Sequence, residues 1–112
     1  MVYDFACKIK NVANKDALND ETLLKIVNEI NDKHDVTLQF KFVLPNQDNA
    51  SEFLVKSQAS VSSMPHFHDK ELDAALHAFI SYLEEIAAAI EGEISRNEGF
   101  YNNSQTFKRL FN

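Results

Sequence analysis

The chain has 112 residues, 45% of them hydrophobic and 25% charged, with two glycines, two prolines, one cysteine and a formal charge of −6. That length suits one domain around one core, and a lone Cys7 excludes an internal disulfide framework and a cysteine metal cluster. Gly92 and Gly99 both fall late, so the glycine-rich loops that cradle phosphates are absent and no cofactor is implied.

Taken in chain order, Tyr3, Phe5, Cys7 and Ile9 alternate with Asp4, Lys8 and Lys10, the period of a half-buried strand. Cys7 is then a small core residue, since no basic or histidine neighbour in sequence lowers its thiol pKa. After a polar connection over 11–19, Asn19 or Asp20 caps a helix bearing Leu23, Ile26, Val27 and Ile30 at helical spacing. The stretch 36–44 puts Val36, Leu38, Phe40, Phe42 and Leu44 on one face of a second strand. Pro45 and the Asn and Asp residues behind it supply turn chemistry. A third strand follows, with Phe53, Val55, Ala59 and Val61 alternating against polar residues. Its polar side and Lys56 place it nearer a sheet edge.

From 69 to 97 a long helix carries Leu72, Leu76, Phe79, Ile80, Leu83, Ile86, Ala87, Ile90 and Ile94 on one stripe. At 1.5 Å per residue it runs roughly 43 Å, longer than a compact domain of this size is wide, so the excess calls for cover. Gly99 stops it, and 99–112 forms an aromatic tail.

The reading is a single α+β domain over 1–112. A three-stranded sheet in the order strand, helix, strand, strand, long helix has both helices on one face, and the tail over 106–111 adds a short fourth strand or a helix. A right-handed crossover puts the first strand parallel to the second or one place removed from it. The order also matches the first five elements of a ferredoxin-like split βαβ sandwich.

Charge is localised. Residues 69–98 hold eight acids against Lys70 and Arg96, which accounts for the whole net charge. Such a run is either a solvated helix face or a surface for a partner with a basic face. No basic stripe is visible, so nucleic acid is not an expected partner. No apolar run approaches the roughly 18 residues of a membrane span and no signal pattern opens the chain, so a cytoplasmic protein without a membrane partner is expected.

Three constellations stand out. His66, His68 and Asp69 would serve one divalent ion if the segment were extended, where His66 and His68 share a side; otherwise they lead into a helix capped by Asp69 or Ser63. His77 lies four residues after Asp73, the spacing of an ion pair on a helix. No nucleophile has an adjacent base, so no catalytic residue is assigned and the chain reads as a non-enzyme. On the back of the long helix, Ala74, Ala78, Ser81, Ala88, Ala89 and Gly92 form a surface of small residues flanked by Glu84, Glu85 and Glu91. It is either a plain exposed face or a close-approach surface for a homodimer or another protein. In the tail, Phe100, Tyr101, Lys108 and Arg109, with Arg96 before them, are candidates for a small anionic ligand such as a nucleotide held in an oligomer. The expectation is a small acidic interaction protein that self-associates through its long helix and binds another protein as an inhibitor or regulator.

Overall fold

The N-terminal alternation becomes a nine-residue strand, β1 (Val2–Lys10), with Tyr3, Phe5, Cys7 and Ile9 all buried. The computed structural model describes residues 2–32, 38–44, 51–95, 100–101 and 105–106. After β1 and a short 3₁₀ turn (Lys15–Ala17) comes α1 (Asp20–Asn31). Its cap is Asn19, whose side-chain oxygen accepts from the Thr22 amide at 2.8 Å. Leu23, Val27 and Ile30 are buried and Ile26 is half-buried, as their spacing requires. Strands β2 (Gln39–Val43) and β3 (Phe53–Ser60) precede α2 (Pro65–Ile90), and three two-residue strands follow: β4 (Glu93–Ile94), β5 (Phe100–Tyr101) and β6 (Gln105–Thr106).

The sheet order is β2-β3-β1-β5-β6, with β4 also on β1, and every pairing is antiparallel. Because β2 and β1 each run antiparallel to β3, they are parallel to each other and one place apart, the second of the two expected arrangements. The fourth place, beside β1, is taken by β4 and β5; of the 106–111 segment Thr106 lies in β6 beside β5, and 107–111 lie outside the described residues. The result is an α+β fold with the β-α-β-β-α-β order of a split βαβ sandwich.

Two expectations need correction. β3 lies inside the sheet and β2 takes the outer place, so the polarity of β3 marks an uncovered face, not an edge. Phe53, Val55, Ser57 and Ala59 are buried, while Lys56, Gln58 and Ser60 face out; the Ser57 hydroxyl is satisfied by the Gln39 carbonyl at 2.7 Å. The long helix spans 65–90 rather than 69–97. Pro65 starts it because a proline at the first position presets φ and lacks only an amide that would have no helical partner.

The early stop at Ile90 has a local cause. Glu91 adopts the left-handed conformation (φ 56°, ψ 49°), and the amides of Glu91 and Gly92 return to the carbonyls of Ala88 and Ala87 at 3.4 and 2.8 Å. That is a Schellman closure. The last carbonyls, of Glu91 and Ile90, accept from the Ala13 and Asn14 amides at 3.0 and 3.3 Å. A non-glycine residue in this conformation costs roughly 1 kcal/mol. Glu91→Gly is therefore expected to raise stability by up to about 1 kcal/mol, read as a higher urea midpoint at unchanged slope; a lower midpoint would show that Glu91 is not strained.

The core is an aromatic series between α2 and the sheet. Phe79 meets Phe5 with ring centroids 5.4 Å apart and Phe40 at 6.1 Å, and Tyr82 lies 4.9 Å from Phe40. Phe42 and Phe53 extend the series along β2 and β3 at 6.1 Å. The Tyr82 hydroxyl donates to the Asn31 side chain at 2.5 Å and ties the end of α1 to α2. Burial, with a smaller push from Glu85, raises the Tyr82 pKa above its usual 10.0. The folded state thus holds this proton more tightly than the unfolded one. The stabilisation is complete below pH 10 and fades as pH rises through the higher folded value. Tyr82→Phe is expected to flatten the alkaline loss of stability in urea titrations from pH 8 to 11; an unchanged difference from wild type across that range would refute this.

Candidate functional site

The exposed ridge of α2 carries part of the anticipated partner surface. Ala74, Glu84 and Ala88 are exposed, and Ser81 and Glu85 are half-buried beside them. Ala78 leans against the core, so it contributes less of its surface than its spacing implied. Glu91 is exposed but ends the helix, and Gly92 lies beyond it. Gly92 faces inward: a Cβ there would stand 2.8 Å from Ile9 Cγ2 and 3.1 Å from Val12 Cγ2. Its smallness serves the packing of α2 against β1. Over Pro65–Ile90 five acids stand against Lys70 alone.

The metal reading at His66, His68 and Asp69 is overturned by the helix itself. These residues lie in the first turns of α2, where two positions are about 200° apart around the axis, so His66 and His68 do not share a side. Among the described residues no three histidine, cysteine or acidic side chains could hold one metal ion. His68 instead bridges two elements. With its proton on Nδ1 it donates to Asp69 Oδ1 at 3.1 Å and accepts the Tyr3 hydroxyl on Nε2 at 2.7 Å. This series joins α2 to β1. His77 Nδ1 donates to the Asp73 backbone carbonyl at 2.8 Å, so the expected partner residue is right and the expected atom is not.

Cys7 is fully buried, its thiol directed at the carbonyls of Ser95 and Lys8 at 3.6 and 3.7 Å, which fits a packing residue. Of the tail candidates, Arg96, Lys108 and Arg109 lie outside the described residues. Phe100 and Tyr101 are placed by backbone register alone, opposite Ala6 and Phe5.

The surface that sequence reading missed is the sheet face opposite the helices. Strand alternation puts Lys8, Lys10, Lys41 and Lys56 there, with Asp4 and Glu93. The molecule therefore has an acidic helical layer and a sheet face on which lysines outnumber acids, although its total charge is negative. Cross-strand rows order this face: Gln39, Gln58 and Asp4 in one, Lys41, Lys56 and Ala6 in the next. Gln58 Nε2 donates to Asp4 Oδ1 at 2.8 Å. A depression of about 440 Å³ opens over these rows. The only sequence signal was the polar side of each strand, which carries no register.

Comparison with protein-family models, curated proteins and solved structures finds no match. Among the described residues no helix is long and apolar enough to cross a membrane.

Proposed function

We propose that this chain is a non-enzymatic interaction protein of the cytoplasm that binds another protein of basic surface along the exposed ridge of α2 and acts by occupancy as an inhibitor or regulator. The observation that supports this most is the concentration of acids on a helix whose inner side is wholly packed. Ala75, Leu76, Phe79, Ile80, Tyr82, Leu83, Ile86, Ala87 and Ile90 are buried, so the ridge is held rigidly. A preorganised charged surface loses little ordering entropy on binding, and it steers a basic partner toward encounter. The exposed Ala74 and Ala88 let a partner backbone come close.

Self-association through the same ridge belongs to the proposal, and electrostatics gives the two contacts opposite salt dependence. A homodimer sets acids against acids and tightens as salt rises, whereas a basic partner is released. Light scattering at micromolar concentration is expected to show a dimer favoured by salt and weakened by Ala88→Glu; a monomer at every salt concentration removes self-association. For the partner captured from the host and then purified, Asp73→Lys with Glu84→Lys is expected to weaken binding at least about tenfold at low salt, the range of close charge pairs across interfaces. Unchanged affinity would sink the ridge as the binding surface.

A further inference from the structure

We infer that the Lys41 and Lys56 pair on the open face of the sheet is a binding site for the phosphate group of a small phosphorylated ligand. Of the four lysines there, Lys8 is paired with Glu52 at 3.6 Å and Lys10 stands opposite Glu93 in register. Lys41 and Lys56 instead stand directly opposite each other, and among the described residues neither has an acid within ion-pair distance. Like charges so placed repel, with Cβ atoms roughly 5 Å apart, a separation from which two ammonium groups converge on one anion. The third member of the row is Ala6, which is buried and offers no polar side chain, so the two lysines carry the donors of this row. The depression above has about 440 Å³, within the size of small-molecule sites.

Charge matching selects the ligand. A phosphate monoester carries close to two negative charges at neutral pH and three acceptor oxygens, against two lysines that donate as point charges. One carboxylate would leave a cation unmatched. Asp4, bonded to Gln58, lines the other end of the depression, while Gln39 adds an amide donor beside Lys41. Two opposed lysines match the charge of one phosphate, so one phosphate on an otherwise uncharged small molecule fits best.

The test is calorimetric and NMR titration with inorganic phosphate and with glycerol phosphate, against chloride at matched ionic strength. Saturable binding is expected, with amide shifts centred on Ala6, Lys41 and Lys56. Lys41→Gln or Lys56→Gln should weaken it about tenfold, the worth of one charge-assisted hydrogen bond, and Lys8→Gln should leave it within twofold. Tighter binding of the ester assigns the site to phosphorylated metabolites, and equal binding to free phosphate; either supports the shared chemistry. Each lysine variant, having lost the repulsion, should also melt slightly higher without ligand. Chloride reproducing the phosphate response, or both lysine variants binding as well as wild type, overturns the site.

Discussion

Phe79→Ala is expected to cost about 3–5 kcal/mol, the range for deleting a fully enclosed aromatic ring, and so to remove a large share of the stability of a domain this size. Phe79 has no solvent exposure and touches rings from two strands, Phe5 of β1 and Phe40 of β2. Its loss opens a cavity that neither the helix nor the sheet can collapse into without breaking the other contacts of α2. Urea unfolding should show a lower midpoint at unchanged slope. A cost below about 1.5 kcal/mol would mean that the aromatic series can repack and does not join helix to sheet.

Gly92→Ala should be the next most damaging change, costing about 1–3 kcal/mol for one added methyl group. The new Cβ would meet Ile9 Cγ2 at 2.8 Å, and Ile9 is itself fully buried in the centre of the sheet. The obstruction is therefore core, not the free end of a surface side chain. The neighbouring Glu91→Gly is expected to act in the opposite direction, so the pair separates two uses of glycine at one helix end: space at 92 and backbone freedom at 91. A neutral Gly92→Ala would show that β1 can shift away from α2 at little cost.

Element identity was readable wherever one face of an element is buried. The alternation of Tyr3, Phe5, Cys7 and Ile9 and the stripe from Leu76 to Ile90 each state a period, and burial in the structure follows those periods. The cap of α1 was narrowed to Asn19 or Asp20 because the chemistry of capping is local, and Asn19 fills it. The failures lie where a decision was made by distant residues. The apolar pattern continues to Ile94, yet the helix stops at Ile90, where Glu91 turns left-handed, the distant Ala13 and Asn14 amides take the last carbonyls and β1 offers Ile94 a place in the sheet. Pro65 is a local signal instead: it and the two histidines after it look like a lead-in, although proline fits a first helical position. For the α2 ridge, the acids were legible but Ala78 was misplaced, because periodicity gives an angle and not the distance to the core.

Residue patterning by itself was enough for the α+β class and for placing the excess negative charge toward the C-terminal part of the chain. Those properties depend on residue type and spacing within a single element. Strand order, the interior position of β3 and the meeting of Lys41 with Lys56 were decided only by the tertiary structure. Register is a relation between segments far apart in the chain, fixed by which buried faces fit against the helices. Four lysines at positions 8, 10, 41 and 56 make no stripe in the sequence, and they form a face only when β1, β2 and β3 are laid side by side.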